Sequence, residues 1–349
     1  MTVNIAIVGF GKMGILHSGI VNSFPEACIK AICDKDMFLV RVARAFLPKT
    51  IALYKDPIKM LDNEKLDAVF ITTPINYHVP LIVDLARRNR DLSLFVEKPL
   101  AVSYEQAKIA CEAVSDLRGV CMVGYQKRFS PVFQKARDLV RGGLLGELVF
   151  FRAYLFSSDA IHEGNSWRFR NETGGVLLDL APHLLDILRW FFGNPVVVAA
   201  AKRHVHSTNV DDYVHVLMSF KSGLKGHLDV CWSIESFRLP EISIEVYGKN
   251  GILTVSDDCA KLRLNKKVGS ATSQSQVYHR QSFDTSVSFL LAEPEFTRED
   301  EAFLAALREG SVKNLNFYDA AKVNEIIDQI NLRIIEQGDF SNEELANRR

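Results

Sequence analysis

Apolar residues in the first third of the chain fall in short unbroken runs separated by amphipathic stretches. Residues 4–8, 28–33, 67–72, 92–96 and 120–124 are such runs, several of them rich in Val and Ile. Runs of this length, apolar on both sides, fit strands of a parallel sheet covered by helices on both faces. Between them, 15–24, 37–46, 57–61, 78–89 and 104–117 read as helices, the second stopped near Pro48, and 51–54 adds a short strand. The pattern changes after Gln126. Residues 131–141 form one helix, ended by Gly142-Gly143. From Leu148 onward apolar and polar positions alternate, as in 214–220 and 242–247, with turns at Lys221-Ser222-Gly223 and Lys249-Asn250-Gly251. Period two predicts strands with one dry and one wet face, hence an open, mostly antiparallel sheet. Residues 260–282 are polar and read as a loop or hairpin, 298–307 and 318–335 as closing helices, and 336–349 as a fraying polar tail. The fold class expected is therefore α/β plus α+β. A doubly wound parallel sheet occupies 1–125, and an α+β domain with a large open sheet occupies 126–349, with the helices over 298–335 free to pack back toward the first domain.

Composition narrows the function classes. A chain of 349 residues suits two domains, and 48% hydrophobic with 24% charged residues is ordinary for a globular protein. The 42 basic and 42 acidic side chains cancel, and no basic block stands out, so neither nucleic acid nor an anionic membrane surface is an expected partner. No apolar run reaches about 18 residues, so no membrane span is expected. The N-terminus enters a strand at once, which leaves no room for a signal peptide and points to a cytoplasmic protein. The six cysteines show no C-x-x-C pair, and several sit in apolar strands or helices. They read as buried free thiols, not as disulfides or metal ligands.

The chemistry starts at the first strand end. Gly9, Gly11 and Gly14 follow residues 4–8 at G-x-G-x-x-G spacing, with Phe10, Lys12 and Met13 between them. The first glycine permits the turn, the second lets backbone approach a pyrophosphate, and the third lets helix pack on strand. A helix N-terminus beyond that turn presents free N–H groups and partial positive charge to phosphates. An acidic residue about 20 positions on, at the end of the next strand, completes a dinucleotide site. Asp34 holds that place. Its carboxylate accepts from a ribose 2′-OH and repels a 2′-phosphate, which favours NAD; Lys35 beside it keeps NADP possible. Ligands of such sheets sit at the carboxyl ends of the strands. That rule selects Gly9, Asp34, Thr72, Glu97 and Tyr125, together with Thr73-Pro74, His78 and the Glu97-Lys98-Pro99 turn. Thr72 and Thr73 serve either a close cofactor approach or turn chemistry. Lys98, poorly solvated behind a buried strand and aimed by Pro99, can stabilise a substrate oxyanion.

A second constellation lies at Gly174-Gly175, Asp179, Pro182, His183 and Asp186. Pro182 is tolerated only in a first turn, so one helix is expected to begin near Asp179, with Asp179 and His183 as neighbours four apart. Either Asp179 orients a proton-accepting His183, or Asp179 is an N-cap and His183 a core histidine.

Together these pieces resemble the glucose–fructose oxidoreductase / inositol dehydrogenase / MocA family. The resemblance rests on the glycine fingerprint, Thr73-Pro74 with His78, Glu97-Lys98-Pro99, Arg128-Phe129-x-Pro131, and Gly174-Gly175 leading to Asp179, His183 and Asp186, in family order over most of the chain. Ala181-Pro182 departs from it, standing where relatives often carry glycine. The resemblance implies a Rossmann domain plus a C-terminal domain on a large open sheet that pairs copies into a homodimer or homotetramer. It places the catalytic lysine on Lys98 and the catalytic acid and histidine on Asp179 and His183. Gln126, Arg128, Trp167 and Arg168 are then expected in the substrate wall beside Asp179 and His183. The activity implied is hydride transfer between NAD(P) and a secondary hydroxyl or ketone of a sugar, sugar derivative or cyclitol, with no metal. Two other readings share these motifs: a non-catalytic dinucleotide-binding sensor, and a redox-neutral NAD-dependent glycosidase or epimerase.

Overall fold

β1 (Val3–Val8) lies between β2 (Ala27–Cys33) and β4 (Ala68–Ile71), both parallel to it. The computed structural model of the chain describes residues 2–36, 38, 40–41, 44–45, 47–158, 161, 166–266, 274–283, 286–312 and 315–335. With β3 (Ala52–Tyr54), β5 (Ser93–Glu97) and β6 (Cys121–Gly124), the first sheet runs β3-β2-β1-β4-β5-β6, every pair parallel. This is the doubly wound order, and its switch point falls between β1 and β4. α1 (Lys12–Val21), α2 (Pro57–Asn63), α3 (His78–Arg88) and α4 (Tyr104–Ala113) separate the strands. Local chemistry starts two of them. Asp56 accepts hydrogen bonds from the N–H groups of Ile58 and Lys59, and Ser103 accepts one from Gln106. The helix expected over 37–46 falls largely on positions outside the described residues. β5 runs one residue further than its apolar run, so Glu97 closes the strand and Lys98 is the first residue beyond it.

Two compact units make up the chain: Met1–Gln134 with His279–Glu325, and Lys135–Tyr278 with Ile326–Arg349. The first unit's aromatic centre explains why a late segment belongs to it. Phe303, on α8 (Pro294–Glu309; other helices are labelled below), meets Phe70 and Phe95 edge-on at 5.3 and 5.6 Å, while those two rings stack at 4.6 Å. All three rings are fully buried. Each stabilises the fold by roughly 1.5–3 kcal/mol.

The second unit holds an eight-stranded sheet ordered β14-β13-β12-β11-β7-β10-β9-β8. Its strands are β7 (Leu148–Phe156), β8 (Pro195–Arg203), β9 (Tyr213–Phe220), β10 (Lys225–Cys231), β11 (Glu241–Gly248), β12 (Gly251–Ser256), β13 (Cys259–Leu264) and β14 (Ser275–His279). The polar stretch 260–282 thus supplies two strands of this sheet, as the hairpin alternative required. From β13 to β8 the ladders are antiparallel except β7 with β10, which is parallel. Alternation is as the pattern predicts. Val214, Val216 and Met218 are buried, while Tyr213, His215 and Leu217 between them face outward. α5 (Pro131–Arg141), α6 (Val176–Asp179), α7 (Ala181–Phe192) and α9 (Phe317–Leu332) complete the set. No described helix is long and apolar enough to cross a membrane.

Candidate active site

In the first unit the glycine turn is closely packed through backbone. Gly9 adopts φ +95°, where L side chains are strained, and a Cβ there would lie 2.7 Å from the Thr73 nitrogen. A Cβ on Gly14 would lie 2.0 Å from the Gly9 carbonyl oxygen, so helix and turn touch through backbone. A Cβ on Gly11 would meet nothing within 4 Å. That open space faces the start of α1, whose first turn holds no acidic residue and whose cap makes no side-chain hydrogen bond. The N–H groups there remain available to an anion. Thr72 seals the turn, its hydroxyl donating to Gly9 O at 2.6 Å and to Val8 O at 3.2 Å. Thr73 Oγ1 is buried without a hydrogen-bond partner, as fits a group awaiting a polar ligand. Residues and geometry fit a dinucleotide.

Asp34 does more than its position promises. Its Oδ2 accepts from the Phe10 N–H at 2.5 Å and its Oδ1 from the Asp36 N–H at 2.8 Å. The same carboxylate placed to select the ribose therefore also holds the glycine turn. Phe10 is buried, Lys12 exposed and Met13 half-buried. The Lys35 ammonium lies over the Tyr77 ring at 4.3 Å. Pro74 precedes a short 3₁₀ turn, Ile75–Tyr77. His78 is a strut: its two ring nitrogens face Pro99 O at 3.0 Å and Thr73 O at 2.9 Å. Burial lowers its pKa below the usual histidine value. Only 1% exposed, with both nitrogens so engaged, it braces the two turns. Tyr125 also departs from expectation, being buried instead of facing a crevice.

Lys98 is half-buried, its backbone N–H donating to Glu97 Oε2 at 3.1 Å. The Glu97 side chain turns inward, and its Oε1 stands 2.9 Å from His17 Nε2. His17 Nδ1 in turn lies 2.8 and 3.0 Å from the two oxygens of Asp300. His17, Glu299 and Asp300 bring ligand-type atoms within 4.8 Å of one another. Both His17 nitrogens already sit at hydrogen-bond distance from carboxylates, so neither offers a lone pair to a metal. Gln126 and Arg128 lie in the 3₁₀ turn Gln126–Phe129, and both are buried. Arg128 Nη1 pairs with Asp319 Oδ2 at 3.0 Å.

In the second unit Asp179 and His183 lie on two helices, not one. Asp179 ends α6, Leu180 separates the helices, and His183, half-buried, lies in the first turn of α7 with Pro182 just before it. Asp179 is therefore no N-cap. Its Oδ2 accepts from Arg168 Nε at 2.6 Å. Arg168 and Trp167, both half-buried, share the 3₁₀ turn Trp167–Phe169, and the Arg168 guanidinium lies 5.0 Å from the Trp232 ring centre. The glycine pair makes this packing possible: a Cβ on Gly174 would lie 2.0 Å from Arg168 O, and one on Gly175 (φ +93°) 2.8 Å from Asp211 Oδ1. Asp211 Oδ2 accepts from the Leu177 N–H at 3.0 Å and so starts the helix that carries Asp179. Asp212, next to it, is a buried anchor. Burial pushes its carboxyl up, but the Trp232 indole N–H at 2.9 Å and the N–H groups of Ser207, His206 and Val205 outweigh that and hold it low. His17, Asp300, Asp211, Asp212 and Trp232 carried no legible signal in the sequence. Only His17 could have been suspected, as a polar residue on the inward face of a dinucleotide-binding helix, three positions after Gly14.

Residues 3–125 match the oxidoreductase family with an NAD-binding Rossmann fold, and 133–254 match the GFO/IDH/MocA C-terminal domain. The D-apiose dehydrogenase of Paraburkholderia graminis is 30% identical over 272 residues, 76% of this chain and 71% of that protein. The NAD(+)-dependent scyllo-inositol 2-dehydrogenase of Bacillus subtilis is 29% identical over 261 residues, 72% of this chain and 73% of that protein. A levoglucosan dehydrogenase solved with NADH superposes with a TM-score of 0.83 at 22% identity, covering 95% of this chain and 97% of that one. The chain belongs to the Gfo/Idh/MocA family of oxidoreductases. By that membership it is an oxidoreductase with an NAD-binding Rossmann domain.

Proposed function

We propose that this chain transfers hydride between NAD and a secondary hydroxyl or ketone of a sugar, sugar derivative or cyclitol. The observation that carries the reading is Lys98, set immediately beyond β5 in the sheet whose β1 ends in the open glycine cradle. The names of the curated relatives, dehydrogenases of apiose and inositols, support the substrate class. When bound, the dinucleotide supplies the hydride acceptor. Lys98 donates to the substrate oxygen and stabilises its developing negative charge. His183 takes the hydroxyl proton as the C–H electron pair leaves with the hydride and a carbonyl forms. Asp179, paired to Arg168, fixes the start of the segment that carries His183. Trp167 offers an apolar ring face to a sugar, and Gln126 a polar amide to the substrate. Residues 1–125 serve as the cofactor domain and 126–349 as the substrate and oligomerisation domain. The decisive experiment is a panel of sugars, sugar phosphates and inositols assayed at 340 nm with NAD and NADP. Turnover on at least one polyol supports the proposal. Turnover without net absorbance change by enzyme that retains its nucleotide would replace it with the redox-neutral reading, and tight nucleotide binding without turnover on any member would replace it with a sensor.

Asp34 sets the cofactor preference in this reading. NAD(H) is expected to bind on the order of 10²-fold more tightly than NADP(H), since an unpaired like-charge encounter costs several kcal/mol. Asp34→Ser loosens the turn through the lost Phe10 and Asp36 bonds, so both nucleotides weaken, but the ratio of their Kd values should shrink toward one. Titration by fluorescence reads both. A ratio at or below one in the unmodified protein would make Lys35 the dominant residue.

The open face of the second sheet suits a second copy of the chain. Phe150, Leu217 and Val196 are exposed there, and Phe150 stacks on Tyr247 at 4.1 Å. A homodimer or homotetramer would cover these side chains. Sedimentation velocity at micromolar concentration should show no monomer boundary; a monomer would rule this out. A reducing cytoplasm suits the six free cysteines. Burial, the largest cause at each, pushes the thiols of Cys33 and Cys121 up to about 12 and that of Cys111 to about 11.

A further inference from the structure

His17 is fully buried, and each of its ring nitrogens meets a carboxylate: Nε2 with Glu97 Oε1 at 2.9 Å, Nδ1 with Asp300 at 2.8 and 3.0 Å. An ionised carboxylate only accepts hydrogen bonds, so both nitrogens donate, and a ring that donates twice is an imidazolium. We propose that His17 is a positioning residue for Lys98: a buried cation that clamps the Glu97 carboxylate from behind and so fixes the backbone from which Lys98 projects. The proposal rests on Lys98 acting on substrate.

Three elements converge on the clamp. His17 comes from α1, three residues after Gly14, so the helix that offers its N-terminus to the pyrophosphate also carries the cation. Glu97 comes from the end of β5, and its second oxygen accepts from the Lys98 N–H. Asp300 comes from α8, with Glu299 beside it. The remaining wall is aromatic: Phe70, Phe95 and Phe296 lie 5.6, 5.1 and 6.3 Å from the imidazole centre. Facing His17 are thus three carboxyl groups, Glu97, Asp300 and Glu299. Burial by itself would strip the proton from the ring. The charges and hydrogen bonds of Asp300 and Glu97 overcome it and raise the pKa well above the usual histidine value. In so dry a setting charge-assisted bonds are strong and directional. The clamp couples the nucleotide helix to the lysine through one side chain, and displacement of Lys98 by about 1 Å is enough to cost about 10²-fold in rate.

The test has two arms. In the first, ¹⁵N-histidine spectra of the unmodified protein are recorded at pH 8, above the unperturbed histidine pKa of about 6.5. One histidine should remain protonated on both nitrogens, and its signal should vanish in His17→Gln or, should that variant not fold, change in Asp300→Asn. Spectra with every histidine neutral would overturn the proposal. In the second arm His17→Gln and Asp300→Asn are compared with Lys98→Ala in NADH binding and in turnover per NADH-binding site. His17→Gln should bind NADH nearly as before, keep its substrate KM, and lose about 10²-fold in kcat; Asp300→Asn should lose less, because Glu97 keeps its bond to the ring. Wild-type kcat per site in His17→Gln, or in Asp300→Asn where the first variant does not fold, would overturn the positioning role. Normal turnover in Lys98→Ala would instead overturn the role of Lys98, with the histidine spectra unaffected.

Discussion

Lys98→Ala and His183→Ala should lower turnover by about 10²–10³-fold and about 10²–10⁴-fold, while NADH binding stays nearly intact. In the proposed reading the dinucleotide binds at the glycine turn that Thr72 and Asp34 hold, and neither substitution alters that turn. Lys98 follows β5 and is half-buried, so its ammonium acts in a poorly solvated setting where a donor to an oxyanion is worth more than in water. His183 stands half-buried in the first turn of a helix. If one hydroxyl is served by both residues, the double variant should be less impaired than the product of the single losses. Stopped-flow turnover on a substrate found in the polyol panel, with NADH Kd measured in parallel, reads all three variants. Near-normal turnover in either single variant would defeat the mechanism.

Gly14→Ala should damage both fold and nucleotide binding, and Gly11→Ala binding alone. At Gly14 the new methyl would sit 2.0 Å from Gly9 O and 3.0 Å from Thr72 Oγ1. No flexible side chain can yield there, since the first obstacle is backbone and the second holds that same carbonyl by a 2.6 Å hydrogen bond. Overpacking of this kind costs about 1–3 kcal/mol, and at about 2–4 °C per kcal/mol the expected fall in Tm is roughly 2–12 °C. The Gly11 methyl meets no protein atom within 4 Å, so Tm should hold. It projects into the space a pyrophosphate needs, so NADH affinity should still drop, by on the order of 10²-fold. Thermal melts with and without NADH separate the two. A Gly14→Ala protein with unchanged melting and binding would refute this picture of the turn.

What could be read from the residues alone was whatever is encoded locally. Unbroken apolar runs and period-two alternation depend on near neighbours, and they placed most of the strands to within a residue or two. The glycine turn, Asp34 and Lys98 were legible for the same reason, each tied to the end of a run. Long-range pairing was not. His17 and Asp300 are separated by 283 positions, and nothing near either one announces the other. The ion pair of Arg128 with Asp319, 191 positions away, was likewise out of reach. Pro182 marked a helix start near Asp179, but not the separate short helix that ends there, with the break at Leu180. The 2.6 Å bond of Asp179 to Arg168, eleven positions before it, was not legible either.

The place of β7 at the middle of the second sheet bears on how the chain is made. It is the first strand of that sheet to be synthesised, yet its two neighbours are β10 and β11, both made after β8 and β9. When Leu148–Phe156 leaves the ribosome, residues 157–224 must still follow before its first partner begins. At about 5–20 residues per second, that is a wait of several seconds with both edges of an apolar strand unpaired. β8 and β9 can form their hairpin during that interval, but they cannot shield β7 until β10 arrives to join them. The strand that ends up most protected in the finished sheet is thus the one longest at risk of aggregation during its birth.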